Sequence, residues 1–180
     1  MSKTLNLPNA LALFRIALAP LMLFFLVQRD SAMFASWHPS WLDYFAGLIF
    51  VIASVTDFFD GYIARSWNQM TKLGAILDPL ADKMLMLAGF LGLMLIDRAS
   101  AWAVFLILSR EFFITALRVV AVAENKSVAS TMAGKVKTVF QMIAIGFLIM
   151  NWPFATILLW VAVALTLYSG YEYTRDYFID

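Results

Sequence analysis

Along most of the chain, long apolar runs alternate with brief polar breaks. Six runs, at about 8–28, 41–65, 73–96, 101–123, 132–151 and 154–174, offer the roughly 20 residues that a helix needs to cross a bilayer. The breaks carry the residues that stop such helices: Arg29, Asp30, His38 and Pro39, then residues 66–72, then Asp97 and Arg98, then 124–131, then Asn151-Trp-Pro153. So little chain is left for connections that the pattern predicts an all-α polytopic membrane protein, a compact bundle of six transmembrane helices forming one domain over residues 1–180. Pro8 falls where a first helical turn tolerates it, and the segment before it is placed along the membrane surface. There is no internal repeat and no low-complexity tract.

Composition agrees. Hydrophobic residues make up 63% and charged residues 14%, and the mean hydropathy is +0.82, far from a soluble globular domain. The net charge of +1 matters less than where the charges lie. With the N-terminus inside, the cytoplasmic segments hold Lys3, Arg65, Lys72, Lys126, Lys135, Lys137 and Arg175, and the outer loops only Arg29 and Arg98. That asymmetry places both termini on the cytoplasmic side. Trp37, Trp41, Trp102 and Trp152 then fall near the opposite boundary, as interfacial anchors. Arg15 is read as snorkelling towards cytoplasmic phosphates, with a role at the active site secondary. The chain has no cysteine, which excludes disulfides and thiolate metal sites. The single histidine, His38, sits in a Trp-His-Pro-Ser loop, which argues against imidazole-bound zinc or haem. The apolar run after Lys3 is long and lacks a small-residue cleavage site, so the N-terminus is not read as a cleavable signal.

Against this background four aspartates stand out. Asp57 and Asp60 are three apart, Asp78 and Asp82 four apart, and each spacing puts two carboxylates on one helix face, about 5–6 Å apart at Cβ. Each ionised aspartate deep in a bilayer costs roughly 2.5–3.5 kcal/mol. Neighbouring like charges also raise each other's pKa. A divalent cation removes both penalties, and an all-oxygen ligand set points to Mg²⁺, Mn²⁺ or Ca²⁺. Gly61 and Gly74 leave backbone exposed to a large flat group, while Arg65 and Lys72 offer cations for a phosphate. A proton relay or a cation transporter is the competing reading of intramembrane aspartates. A transporter would need polar residues along the whole path, and the outer halves of the spans are almost wholly apolar.

Asp57, Asp60, Gly61, Ala64, Arg65, Gly74, Asp78 and Asp82 reproduce the pattern Asp-x-x-Asp-Gly-x-x-Ala-Arg, eight residues, Gly-x-x-x-Asp-x-x-x-Asp with no position missing. In this the chain resembles the CDP-alcohol phosphatidyltransferases. The resemblance implies two divalent cations, Mg²⁺ or Mn²⁺, with Asp57, Asp60 and Asp78 as the main carboxylate ligands and Asp82 sharing in ligation. It assigns Asp82 the base that deprotonates the acceptor hydroxyl, and it places CDP-diacylglycerol against Asp60, Gly61, Ala64, Arg65, Lys72, Gly74 and Asp78.

A second polar cluster, Ser109-Arg-Glu-Phe-Phe-Ile-Thr-Ala-Leu-Arg118, lies inside the fourth run. Arg110 and Arg118, eight apart, share a helix face. Lys135 and Lys137 open the fifth run. One glutamate, Glu111, cannot balance both arginines, which favours anion binding by Arg110, Arg118 and Lys135. Lys137 reads equally as an anion ligand and as a positive-inside anchor. This pattern, the opening Asn6-Leu-Pro-Asn9 with Arg15, and Ser169-Gly near the end of the sixth run resemble one branch of the family, the phosphatidylglycerophosphate synthases. The branch implies transfer of a phosphatidyl group from CDP-diacylglycerol to sn-glycerol 3-phosphate, giving CMP and phosphatidylglycerol phosphate. Serine or inositol phosphate is the alternative acceptor. It also implies a homodimer in the bacterial cytoplasmic (inner) membrane, with the active site facing the cytoplasm and no nucleic-acid partner.

Overall fold

The structure, a computed structural model, describes residues 7–66, 73–124 and 132–179, without the side chains of 8, 30, 58–66, 75 and 122. Among the described residues there are six α-helices and no strand: α1 Leu7–Val27, α2 Pro39–Ser66, α3 Gly74–Leu95, α4 Ala101–Ala123, α5 Met132–Ile149 and α6 Ala155–Ile179. Two short 3₁₀ turns, Gln28–Asp30 and Ala32–Phe34, join α1 to α2. The protein is a multi-pass membrane protein. Among the described residues four helices are long and apolar enough to cross a bilayer: Asn9–Val27, Pro39–Asp57, Met132–Ile149 and Ala155–Ile179. The other two, α3 and α4, carry Asp78, Asp82 and Lys83, and Arg110, Glu111 and Arg118. Their interruption by charge separates them from the other four.

The helix bounds follow the apolar runs closely, except that α6 continues to Ile179 rather than stopping near 174. Its buried positions Thr166, Ser169, Gly170, Tyr173 and Tyr177 keep the spacing of three and four past that point, so one face stays covered while Arg175 points outward.

The chain divides into two compact units, residues 1–96 and 97–180. In the first, α1 buries Ala12, Arg15, Ala19, Met22 and Leu26, a stripe with spacings of three and four. α2 buries Leu42, Ala46, Phe50 and Ala53, a stripe on which Asp57 falls next in phase. On α3 the buried positions Ala81, Leu85 and Ala88 extend back to Asp78. Gly92 permits the approach of α1 to α3: a Cβ there would lie 2.7 Å from Leu26 Cδ1. At the far end, Arg29 after α1 is paired with Asp43 in the first turns of α2, and His38 Nδ1 accepts from the Ser40 N–H.

In the second unit α6 packs on both α4 and α5. Arg98 donates to the carbonyls of Leu148 (3.4 Å) and Ile149 (2.6 Å), placing a cation on the negative end of α5. Burial lowers the Arg98 pKa, yet a guanidinium keeps its charge at any working pH. Asn151 takes a left-handed conformation (φ 51°) just beyond α5, and Trp152 N–H donates back to Phe147 O at 3.0 Å, closing the helix end. Large apolar side chains such as Leu48 and Val51 of α2, Phe105 and Phe112 of α4 and Ile157 of α6 remain exposed, as faces in contact with lipid do. Trp37, Trp41, Trp102 and Trp152 are exposed too.

Candidate active site

In the first unit, the start of α1, the later part of α2 and the start of α3 meet at Arg15. This side chain is 1% exposed. Its Nη1 donates to Asp57 Oδ1, and its Nη2 lies 3.9 Å from Asp78 Oδ1. The expectation that Arg15 snorkels towards phosphates therefore gives way to an ion pair in which the guanidinium is buried. Position 15 is in phase with Ala12, Ala19 and Met22, so its side chain enters the helix interface. Asn9, also on this stretch of α1, is 1% exposed.

Asp57 and Asp78, read from sequence as members of two separate pairs, are thus brought to one point from two helices. Asp57 closes the apolar part of α2, and its side chain is 38% exposed, against 44% for Asp78. Asp78 Oδ1 is itself buried and has no hydrogen-bond partner among the described residues. Asp82 follows one turn further along α3 and is half-buried. The backbone of Asp60, Gly61, Ala64 and Arg65 belongs to the last turns of α2; their side chains, and Lys72 altogether, lie outside the described residues. Gly74 is buried at the start of α3. No group of three or more candidate ligands gathers among the described residues. What is described still fits a hard cation: the donors are carboxylate oxygens from two helices, and one of those oxygens is buried without a hydrogen-bond partner.

The second unit collects cations. Arg110 of α4, its side chain 10% exposed, donates through Nη2 to Ser169 Oγ at 2.8 Å and through Nη1 to Glu111 Oε1 at 3.3 Å. The approach depends on Gly170, where a Cβ would lie 3.0 Å from Arg110 Cγ and 3.2 Å from its Nε. Lys137 of α5 is buried and donates to the same Glu111 oxygen. Lys135, two residues earlier and so on another face of α5, is exposed. Arg118, two turns beyond Arg110, lies with its guanidinium carbon 5.7 Å from the centre of the Tyr173 ring.

Sequence reasoning singled out Ser169 but passed over Gln141 and Thr166 in the polar chain behind these cations. Gln141 Nε2 donates to Thr166 Oγ1 at 2.7 Å, and Thr166 Oγ1 donates to Ala162 O at 2.6 Å. Ser169 Oγ in turn donates to Thr166 O at 3.3 Å. These bonds tie α5 and α4 to α6 where apolar contact alone confers little specificity. The available signal was phase: Gln141 falls one turn after Lys137, and Thr166, Ser169 and Tyr173 follow one another at three and four. Near the end of α6, Tyr177 OH donates to Glu124 Oε2 at 2.8 Å.

Fold and clusters together define a multi-pass helical membrane protein with a carboxylate centre in one unit and a cation centre in the other, the polar equipment of a membrane-embedded enzyme. The chain belongs to the CDP-alcohol phosphatidyltransferase family, whose description matches residues 5–168. That family is enzymatic and generally dependent on divalent metal. Among similar proteins, the CDP-diacylglycerol–glycerol-3-phosphate 3-phosphatidyltransferase of Bacillus subtilis (strain 168) is 44% identical over 179 residues, 93% of either chain. Proteins of the same name from Escherichia coli (strain K12) and Rickettsia felis (strain ATCC VR-1525 / URRWXCal2) are 39% and 36% identical. They cover 93% and 94% of this chain and 92% and 94% of their own.

Proposed function

We propose that this protein transfers the phosphatidyl group of CDP-diacylglycerol to sn-glycerol 3-phosphate in phospholipid biosynthesis, releasing CMP. One observation carries the reading: aspartates of the family motif come from two helices to one buried arginine, in a chain that relatives of this activity match over 93% of its length. In the reaction, the acceptor hydroxyl forms a new bond to the phosphorus that carries diacylglycerol. The pyrophosphate bond to that phosphorus breaks, and CMP leaves with the bridging oxygen. Asp82, on the face shared with Asp78, takes the hydroxyl proton. A carboxylate is a weak base for a hydroxyl proton, so the positioning of both substrates supplies most of the rate.

Two divalent cations, Mg²⁺ or Mn²⁺, are the cofactors this reading implies. Asp57, Asp60, Asp78 and Asp82 would hold them, and they would supply neutralisation of phosphate charge. Gly61, Ala64, Arg65, Lys72 and Gly74, with Asp60 and Asp78, line the nucleotide-lipid. Arg15 holds Asp57 and Asp78 in register. Arg110, Arg118 and Lys135 grip the acceptor phosphate, the arginines through planar forks. Lys137 contributes mainly by neutralising Glu111, which leaves more of the arginines' charge for substrate. On this reading the protein is a homodimer of the bacterial cytoplasmic membrane, with both termini and the active site facing the cytoplasm.

The test is CMP release from CDP-diacylglycerol by the purified protein in detergent. Release should require sn-glycerol 3-phosphate, should not occur with serine or inositol phosphate in its place, should stop in excess EDTA and should return with Mg²⁺ or Mn²⁺. Equal release with serine would overturn the acceptor, and full turnover after exhaustive chelation would overturn the metal.

A further inference from the structure

The seam between α4 and α6 holds hydrogen-bond donors that its own contacts leave unspent. Arg110 uses Nη1 on Glu111 and Nη2 on Ser169, while its buried Nε has no hydrogen-bond partner among the described residues. Nearly one turn along α6 from Gly170, against which Arg110 lies, Tyr173 is 3% exposed. Its hydroxyl is buried and likewise has no hydrogen-bond partner among the described residues. A buried hydroxyl in that condition carries an uncompensated desolvation cost, which a phenylalanine of the same shape would avoid. The ring of Tyr173 meanwhile lies within cation–π distance of Arg118. Tyr173 therefore stands between the two arginines in the register of the seam, touching one and following the glycine that seats the other.

The electrostatics select what the hydroxyl can serve. Glu111 is already shared between Arg110 and Lys137, and the guanidinium of Arg118 lies over the Tyr173 ring. A phenolic O–H beside such charge donates best to an anionic oxygen. An anion with several acceptor oxygens, such as a phosphomonoester, suits guanidinium and phenolic donors alike. A cation would be repelled by the arginines, and a neutral alcohol would accept a bond but leave their charge unbalanced. Glu172, whose Oε2 is also buried without a hydrogen-bond partner among the described residues, is an acceptor only and contributes nothing to phosphate binding.

We propose that Tyr173 is a further substrate-binding residue, whose hydroxyl donates to the phosphate of the acceptor held by Arg110 and Arg118. This rests on the acceptor reading given above and adds a neutral, directional donor to its set of cations. The residue acts on binding and takes no part in the proton transfer assigned to Asp82.

Tyr173→Phe removes the oxygen and leaves the ring, so Arg118 keeps its aromatic partner and the fold is preserved. In the full-length protein in detergent, the KM for sn-glycerol 3-phosphate should rise about tenfold, equivalent to about 1.4 kcal/mol. The KM for CDP-diacylglycerol should stay within about twofold, and the melting temperature should hold or rise because an unsatisfied hydroxyl has gone. A second measurement is protection against thermal unfolding by inorganic phosphate, present in the wild type and reduced in Tyr173→Phe. A wild-type KM for the acceptor together with undiminished protection by phosphate overturns the proposal. So does a fall in melting temperature that moves both KM values together, since that is the mark of a structural hydroxyl. If the wild type fails to use sn-glycerol 3-phosphate but phosphate protects it and not the variant, the acceptor reading falls while Tyr173 as an anion ligand stands.

Discussion

At the junction of α1, α2 and α3 one guanidinium serves two aspartates, whereas among α4, α5 and α6 one glutamate serves an arginine and a lysine. Both clusters lie on otherwise apolar helix stripes, and among the described ion pairs each holds more of one sign than of the other, in opposite directions. At two other places a charge is closed. Arg29 meets Asp43 at the other end of the first unit, and Arg98 spends its donors on the end carbonyls of α5. A closed pair is a structural device, and it needs no ligand. An excess of carboxylate invites a cation, and an excess of guanidinium invites a phosphate. The sign of each imbalance thus distinguishes the role proposed for each unit.

The largest test removes the negative excess. Asp57→Asn or Asp78→Asn should lower CMP release by roughly 100-fold or more, since even groups one step behind a metal ligand account for about 10- to 100-fold. Binding of Mn²⁺, followed by its effect on thermal unfolding, should weaken in parallel. Asp82→Asn should depress kcat with a smaller effect on nucleotide binding. Equal loss of CDP binding in all three would remove the separate role given to Asp82.

An intermediate effect separates partner from ligand on the positive side. Lys137→Ala leaves the half-buried Glu111 with a single cation and should cost about 3 kcal/mol of stability, as breaking buried ion pairs does. The double variant Glu111→Gln with Lys137→Ala should recover much of that loss in a thermal unfolding series. If Lys137→Ala instead keeps its melting temperature and only raises the KM for the acceptor, Lys137 is a ligand in its own right.

The smallest expected effect lies outside both clusters. Gly92→Ala pushes a methyl group into Leu26 and Leu23 of α1 and should cost about 1–2 kcal/mol by overpacking. Both KM values should stay at wild type, because no charge has moved. Kinetic changes as large as those of the aspartate variants would mean that helix packing at large, and not charge excess, governs the site.

Much of this was legible from residue order. Six apolar runs announced six helices, because a helix that must satisfy its own backbone in lipid has nowhere to place a long polar stretch. The aspartate motif announced the family through spacing, and Arg110 with Glu111 announced a polar centre through the cost of charge in a span. These are local facts, and a sequence states local facts directly. Phase could have gone further: Arg15, Gln141 and Tyr173 each sit three or four residues from buried apolar neighbours, and so had to point inward. What residue order could not supply is which inward-pointing groups meet. Asp57 and Asp78 are twenty-one positions apart and share Arg15, while Arg110 reaches Ser169 fifty-nine positions away. Lys135 reads from sequence as an anion ligand and Lys137 equally as a ligand or an anchor, yet only the second is buried against Glu111. Such pairings depend on the rotation and depth at which whole helices pack, and these are set by many side chains at once, among them a glycine at 92 that lets α1 approach and another at 170 that seats Arg110. Periodicity determines which face of a helix turns inward, and only the tertiary structure decides what that face touches.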